Sequence, residues 1–237
     1  MEQLQNLIDT HNRIVFFGGA GVSCESGIPD YRSRDGIYNR GYTLPPETLL
    51  SHTYFMRHTE GFYRFYRDVM LHPEAKPNAA HLKLAQLEKA GKLVSVVTQN
   101  IDGLHQKAGS RRVHELHGSV HRNACMSCGN FFDLDFILQG EGIPKCTCGG
   151  MVKPDVVLYE ESLDGYTLEK AVEALQSADL LLIGGTSLAV YPAAGLIQYF
   201  GGKRIVLLNR DVTPYDGRAT LCIREPIGQV LEQIEVR

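Results

Sequence analysis

The sequence predicts an α/β protein built on a Rossmann-like doubly wound parallel sheet, with two smaller insertions. Three observations favour this fold class. Short apolar runs rich in β-formers recur along the chain, and each ends in small or turn-forming residues, as buried parallel strands do. Helical patterns lie between these runs, and such alternation is typical of a doubly wound sheet. Two segments interrupt the alternation, so we expect a helical insertion and a smaller inserted module.

The candidate elements follow in chain order. The runs RIVFF, LVSVV, LLLI and RIVLLN precede GGAG, TQN, GGTS and RD, and they predict four strands. Helical patterns cover 78–92 and 166–178, and IGQVLEQI forms a further one near the end. Asn78 is the expected N-cap of the first of these helices, and Gly91 is its expected stop. Within 34–77, FMRHTEGFYRFYRDVM predicts a helix whose aromatic stripe packs in the core.

Composition restricts the class of protein. The chain has 237 residues, of which 43% are hydrophobic and 22% charged, so we expect one globular domain or one domain with an insertion. The net charge of −3 gives no global basic field, which argues against nucleic acid and anionic membranes as partners. No secretion signal or run of ~20 apolar residues is evident. We therefore expect a cytoplasmic protein, and a monomer is the working assumption.

Four of the six cysteines form two pairs, Cys125 with Cys128 and Cys146 with Cys148. In a cytoplasmic protein such pairs favour metal binding over disulfides. Four thiolates close a tetrahedral zinc site and leave no open position, so the pattern predicts a structural zinc ribbon. The second pair is C-x-C, one residue shorter than usual, and free or redox thiols are the alternative. Cys24 and Cys222 lie outside the cluster, and both are expected to be small buried apolar residues.

These patterns divide the chain into three predicted parts. The Rossmann-like domain comprises 1–33, 78–121 and 151–237. A cofactor loop and helical insertion occupy 34–77, and the zinc-binding module occupies 122–150.

The glycines of GAGVSCESGIPDYRS follow the first strand. Backbone amides in such a turn can approach a pyrophosphate, and a helix N-terminus adds partial positive charge. The third glycine of the dinucleotide fingerprint would fall at Cys24, and no acidic residue for the ribose is evident. A plain strand-to-helix turn is therefore an equal alternative from this motif alone.

A polar turn, TQNIDGLH, follows the second predicted strand. It lies at the carboxyl edge of the sheet, where ligands bind in this architecture, and its side chains could hold an amide and a ribose. His105, His114, His117 and His121 follow within a short stretch. Any of them could be a structural histidine or a base, and spacing alone selects none.

Six motifs together resemble the sirtuins, which are NAD-dependent protein lysine deacylases. They are GAGVSCESGIPDYRS, TQNIDGLH, the HG of LHGSVHR, the paired cysteines, KPDVVLYEE and GGTSLAVYPAA, and they run in the family's order from about residue 10 to 225. The resemblance implies removal of acetyl groups from lysine side chains of a protein or peptide, with release of nicotinamide and O-acetyl-ADP-ribose. It also implies NAD as cofactor and one structural zinc ion. In the implied chemistry the acyl oxygen attacks the anomeric carbon of the ribose.

The resemblance further implies roles for individual residues. His117 matches the general base, and Asn100 matches a catalytic position near the ribose and a bound water. Tyr31 stands where the family usually has Phe. The implied cofactor-binding residues are Ala20, Gly21, Cys24, Tyr31, Arg32, Gln99, Ile101, Asp102, Gly185, Thr186, Ser187 and Asn209. The implied substrate-binding residues are Val156, Val157 and Leu158, which would pair with an extended peptide.

Two departures bear on specificity. Sirtuins that favour succinyl or malonyl groups carry Tyr-x-x-Arg in the helical insertion, whereas here Tyr63 is followed by Tyr66, and Arg67 comes one residue later. We therefore predict neutral acyl groups, acetyl first. The run Leu158 to Glu161 differs from the family's aromatic-Phe-Gly-Glu, and its two acids could favour basic residues beside the lysine.

Four alternatives remain open at this point. Mono-ADP-ribosyl transfer and deacylation of longer acyl groups share the same first step. A dehydrogenase with a structural zinc is a third, although the missing third glycine weighs against it. A binding module for NAD or ADP-ribose, whose zinc ribbon contacts nucleic acid, is the fourth, and the acidic charge balance disfavours it.

Overall fold

The structure is a computed structural model that describes residues 1–31, 36–37 and 41–237. Over these residues the strands are β1 (Ile14–Gly18), β2 (Leu93–Thr98), β3 (Val113–Glu115), β4 (Gly118–Cys125), β5 (Phe131–Phe132), β6 (Val152–Val156), β7 (Leu180–Gly184), β8 (Arg204–Leu208) and β9 (Leu221–Ile223). The α-helices are α1 (Glu2–Thr10), α2 (Pro46–Leu49), α3 (His52–Arg57), α4 (Thr59–Phe65), α5 (Ala79–Lys89), α6 (Leu104–Lys107), α7 (Leu134–Gln139), α8 (Gly165–Ser177) and α9 (Ile227–Glu232). Three 3₁₀ segments cover Ala20–Ser26, Ala193–Tyr199 and Asp216–Arg218, and a π-helical turn covers Tyr66–Met70.

The larger sheet is parallel throughout and has the strand order β3-β2-β1-β7-β8-β9. This is the Rossmann order, in which the chain starts at the centre, builds outward to one edge and then returns to build the other. The fold class predicted from the sequence is therefore confirmed. The four predicted runs form β1, β2, β7 and β8, whereas the three-residue strands β3 and β9 were not predicted. The expectation that Cys222 is buried is wrong, because Cys222 lies on the edge strand β9 and is exposed. Successive side chains of a strand point to opposite faces, so Leu221 and Ile223 pack against the core while Cys222 points away from it.

Helices cover both faces of this sheet. On one face α1, α5 and α9 bury apolar side chains such as Ile8, Leu84 and Leu231 against the strands. On the other face α8 and the segment Ala193–Tyr199 pack over Val15 and Phe17. Because both faces are covered, β1 and β7 are buried along their whole length, which explains their uniformly apolar sequences. No helix among the described residues is long and apolar enough to span a bilayer.

The smaller sheet is antiparallel and has the order β5-β4-β6. It packs with α2, α3 and α4 in a shared apolar cluster that contains fully buried Phe55, Phe62, Tyr63 and Tyr66. The aromatic stripe of the predicted helical insertion is thus core, as expected. The paired cysteines lie at the ends of β4 and before β6, on the loops of this small sheet. The limits of the three predicted parts of the chain remain a prediction.

Candidate active site

A cleft of about 890 Å³ opens between the two sheets, at the carboxyl ends of β1, β2, β7 and β8. This is the switch point of the doubly wound sheet, where the connections from the central strands diverge to opposite sides. Its size suits a dinucleotide or a similarly large ligand. Every predicted cofactor-binding or substrate-binding residue that the structure describes borders this cleft, and so do His117 and Asn100. Arg32 lies outside the described residues.

Two glycine turns meet backbone to backbone at the floor of the cleft. The amide of Gly21 donates to the main-chain oxygen of Gly185 at 2.8 Å. A Cβ on Gly21 would lie 2.8 Å from Cα of Gly185, and one on Gly185 would lie 2.3 Å from N of Val22. No side chain fits between the turns, so glycine is required at both positions. The close approach leaves an open cradle above them, as a bound pyrophosphate needs.

Cys24 stands where the third fingerprint glycine would fall, inside the segment Ala20–Ser26. Its Sγ donates to Oδ2 of Asp30 at 3.6 Å and to the main-chain oxygen of Ala20 at 3.8 Å. Burial, and then the charge of Asp30, raises the pKa of this thiol to about 11. The side chain is therefore a protonated thiol that borders the cleft and ties the turn to Asp30.

The polar turn after β2 is locked to the glycine turn by Ser23, which sequence reasoning missed. The side-chain amide of Asn100 donates to Oγ of Ser23 at 3.0 Å, and this hydroxyl donates to Oδ2 of Asp102 at 2.7 Å. The other oxygen of Asp102 accepts from the amide of Leu104 at 2.9 Å. Ser23 lies one residue past GAGV in a motif that sequence analysis quoted, but only the fold shows which residues its hydroxyl joins.

His117 precedes β4 and lies beside the same turn. Its Nδ1 donates to the main-chain oxygen of Gln99 at 3.0 Å. This bond places the proton on Nδ1 and leaves Nε2 with a free lone pair, the form that a general base requires. Burial lowers the pKa of His117, and the bond to Gln99 opposes this shift in part. The imidazole is therefore neutral around pH 7.

The fold distinguishes among the four clustered histidines. His105 is buried against His81, with ring centroids 4.7 Å apart, and burial, together with His81, lowers its pKa to about 3. His114 lies on β3 and does not border the cleft, and burial lowers its pKa as well. Only His117 and His121 of the four line the cleft, and His121 contacts the main chain of Asp102.

The far half of the cleft is organised around Thr186. Its amide donates to Oδ1 of Asn209 at 3.0 Å, and its hydroxyl accepts from the side-chain amide of Gln99 at 3.2 Å. The ends of β2, β7 and β8 are thereby joined across the glycine turn. Exposed Ser187 follows on the rim, where its side chain borders the cleft.

Tyr31 closes the opposite end of the cleft. Its hydroxyl donates to the sulfur of Met70 at 3.9 Å, and burial raises its pKa. The ring therefore lies among apolar side chains of the helical insertion and is held as a neutral phenol.

The predicted peptide-binding edge follows β6. The amide of Val157 donates to the main-chain oxygen of His117 at 3.0 Å, and the amide of Tyr159 donates to the main-chain oxygen of Leu50 at 3.0 Å. The amide of Leu158 donates to Oε2 of Glu161 at 2.9 Å. These amide donors are all satisfied within the protein. The main-chain oxygens of Leu158 and Tyr159 are engaged as well, because they accept from the amides of Glu161 and His52.

The two acids that follow this edge are engaged as well. Glu160 accepts from the amide and the hydroxyl of Thr53 at 2.9 and 2.7 Å. Glu161 accepts from Nδ1 of His52 at 2.9 Å and from Nζ of Lys153 at 3.1 Å. The expectation that these acids attract basic residues of a substrate therefore gains no support from the structure.

The four paired cysteines converge to form a candidate metal centre. Their Sγ atoms all lie within 4.8 Å of one another, and neighbouring pairs are 3.5 to 3.6 Å apart. Zinc–sulfur bonds of about 2.3 Å give an edge of roughly 3.8 Å in a tetrahedral site, so the arrangement fits zinc. Amides of Ser127 and Gly150 donate to two of the sulfurs at 3.4 Å. Both cysteines of the shorter C-x-C pair, Cys146 and Cys148, therefore lie in the cluster.

The fold and the cleft define a dinucleotide-binding α/β protein with an inserted four-cysteine module. The family model described as Sir2 family matches residues 19–192, and the chain belongs to this family. Among curated relatives, the NAD-dependent protein deacetylase of Clostridium acetobutylicum is 56% identical over 99% of this chain and 97% of its own length. The NAD-dependent protein deacetylase of Staphylococcus aureus (strain N315) is 42% identical, over 99% of this chain and 97% of that protein.

Solved structures agree with the family assignment. A complex of Sir2 with a p53 peptide and NAD⁺ superposes with a TM-score of 0.86 at 36% identity, covering 98% of this chain and 96% of that chain. A Sir2 homologue in complex with NAD gives a TM-score of 0.88 at 37% identity, covering 98% of this chain and 91% of that chain.

Proposed function

We propose that this protein is an NAD-dependent protein lysine deacetylase that releases nicotinamide and O-acetyl-ADP-ribose. The observation that carries the proposal is the position of His117, which borders the same cleft as the paired glycine turns and the polar turn and is bound to Gln99 through Nδ1 and not Nε2. Relatives that match almost the whole chain bear the same function in their names. NAD, when bound, supplies the ADP-ribosyl group that accepts the acetyl group.

The residues of the cleft divide this work among them. Gly21 and Gly185 provide the cradle for the diphosphate, while Thr186 and Asn209 hold the adenosine half. Asn100 and Asp102, fixed through Ser23, orient the ribose and the nicotinamide amide. His117 takes a proton from a ribose hydroxyl at Nε2, since its Nδ1 is already bound to Gln99. The four cysteines hold one structural zinc ion, and none of them borders the cleft.

The test is an assay with NAD and an acetyl-lysine peptide in which nicotinamide and deacetylated peptide are both measured. We expect equal amounts of the two products, and a loss of at least about a hundredfold in His117→Ala, as removal of a general base produces. His114→Ala is the matched control because His114 lies outside the cleft lining. Transfer of labelled ADP-ribose from NAD to protein, without deacetylated peptide, would indicate ADP-ribosyl transfer instead. Reduced NAD without release of nicotinamide would indicate a dehydrogenase.

For acyl selectivity we propose neutral groups, acetyl first. Tyr63 and Tyr66 are fully buried in the shared apolar cluster. The nearby cation Arg67 is turned toward the zinc module, where it donates to the main-chain oxygens of Ile137 and Gly142 at 2.8 and 2.7 Å. No cation is thereby offered to an acyl carboxylate from these three residues. Desuccinylation as efficient as deacetylation on one peptide sequence would contradict this proposal.

Two broader expectations belong with this function. We propose a cytoplasmic protein that acts as a monomer on acetylated proteins or peptides, without a nucleic-acid partner. Light scattering coupled to size-exclusion chromatography tests the monomer, because a dimer of this 26.3 kDa chain doubles the mass.

A further inference from the structure

The strand that follows His117 contains an irregularity beside the polar turn. β4 and β6 pair in register at Gly118 and Ser119, and then the register shifts before pairing resumes at Asn123. At this bulge the amide of Val120 donates to the main-chain oxygen of Ile101 at 3.0 Å. Nε2 of His121 bonds to the main-chain oxygen of Asp102 at 3.1 Å. Two consecutive residues of β4 thus hold two consecutive carbonyls of the polar turn.

The ring of His121 also lies directly against the backbone of Gly103. A Cβ on Gly103 would lie 2.7 Å from Cδ2 and from Nε2 of His121. Gly103 has φ +70, so glycine is favoured there both by its conformation and by this contact. A carbonyl oxygen can only accept a hydrogen bond, so Nε2 carries the proton in the bond to Asp102.

Asp102 is therefore fixed at three atoms by three parts of the chain. Its two carboxylate oxygens accept from Ser23 and Leu104 at 2.7 and 2.9 Å, and its main-chain oxygen accepts from His121. Ser23 belongs to the glycine turn and Leu104 to the polar turn itself. His121 supplies the contact from the small sheet, whose strand β4 begins directly after His117.

We infer that His121 is a positioning residue that sets the orientation of Ile101 and Asp102 toward the nicotinamide amide. This inference rests on the proposed function. His121 acts through Asp102 and Gly103, without contact to the reacting atoms. Sequence spacing left it among four equivalent histidines, and the bulge in β4 is what directs its ring to the turn.

The test compares His121→Leu with His121→Gln in the deacetylase assay. Leucine keeps bulk but has no donor, whereas the amide of glutamine can replace Nε2–H. For His121→Leu we expect the KM for NAD and the half-inhibitory concentration of nicotinamide to rise about three- to tenfold, the effect of one hydrogen bond. The KM for the peptide should stay within about twofold, and His121→Gln should recover most of the loss.

Arg122→Ala is the matched control, because Arg122 points to Glu115 and Asp155 and makes no contact with the turn. Unchanged nicotinamide inhibition and unchanged KM for NAD in a folded His121→Leu would overturn the inference. So would equal losses in His121→Leu and His121→Gln. Because the proposed function is tested separately by His117→Ala, failure of the two can be told apart.

A second measurement covers the case in which His121→Leu does not fold. The new methyl of Gly103→Ala meets the ring of His121, so it should raise the same two constants. In a His121→Ala background the clash is gone and only the backbone strain remains, so Gly103→Ala should cost less there. Equal costs in the two backgrounds would overturn the contact between His121 and the turn.

Discussion

His117 and Gln99 form the smallest functional unit of the cleft. One main-chain oxygen of Gln99 fixes the tautomer of His117, while the side chain of Gln99 reaches Thr186 on the neighbouring strand end. The base is thereby tied to the cofactor side of the cleft through a single residue. A side-chain substitution at Gln99 would remove the bond to Thr186 and leave the main-chain bond to His117 in place.

The protonation of His117 gives a prediction at this scale. Burial disfavours the imidazolium, so the pKa lies below the ordinary value of 6.5. A base must be neutral, and activity should therefore persist as pH falls through 6.5 and decline only at lower pH. A profile of kcat/KM for the peptide between about pH 5 and 8 measures this. An acid limb centred above 6.5 would contradict it, provided that NAD binding is constant over the range.

At the scale of elements, hydrogen bonds join the segment after β6 to the helical insertion. The amide of His52 donates to the main-chain oxygen of Tyr159 at 2.9 Å, and Glu160 binds Thr53 near the start of α3. Glu160 adopts φ +77, a left-handed conformation that glycine adopts far more readily than glutamate. These hydrogen bonds thus hold the predicted peptide edge in place, although they require a strained backbone conformation at Glu160.

Substitutions of Glu160 can separate the cost of its backbone strain from the contribution of its hydrogen bonds to Thr53. Both Glu160→Gly and Glu160→Ala lose the bonds to Thr53, but only alanine keeps a Cβ in the left-handed region. Glu160→Gly should therefore melt about 2–4 °C above Glu160→Ala. Differential scanning calorimetry of the two variants measures this. Equal melting temperatures would show that the segment relaxes its backbone once the bonds to Thr53 are gone.

At the scale of the whole molecule, the metal centre and the cleft share one apolar core. Cys125 and Cys146 are buried in the same cluster as Val156 and Leu158, which border the cleft. The paired glycine turns and Thr186, in contrast, follow strands β1 and β7 of the parallel sheet. Metal should therefore support the peptide side of the cleft without shaping the adenosine side.

Removal of zinc tests this division. We expect chelation to abolish peptide-dependent nicotinamide release, because a structural zinc site contributes directly to folding. ADP-ribose should still bind within about threefold of the holoprotein affinity, as titration calorimetry would show. Restored activity on adding zinc is the control. Full deacetylase activity in protein shown to lack metal would contradict a structural role for the ion.

The sequence predicted those features of the fold and the site whose pattern lies within a few neighbouring residues. The apolar runs of β1 and β7, the cysteine pairs and the glycine turn each carry their chemistry within a few residues, so sequence sufficed to predict them. The strands β3 and β9 were missed because three residues carry too little periodicity.

By itself the sequence determined the doubly wound class, the four-cysteine pattern and the position of the glycine turn, because apolar runs and residue spacing can be recognised along the chain. The tertiary structure alone decided which histidines face the cleft, that Ser23 joins Asn100 to Asp102, and that Glu160 and Glu161 are already paired. Those contacts join residues far apart in sequence. They depend on the directions in which side chains point where separate elements meet, and spacing along one chain does not encode such directions.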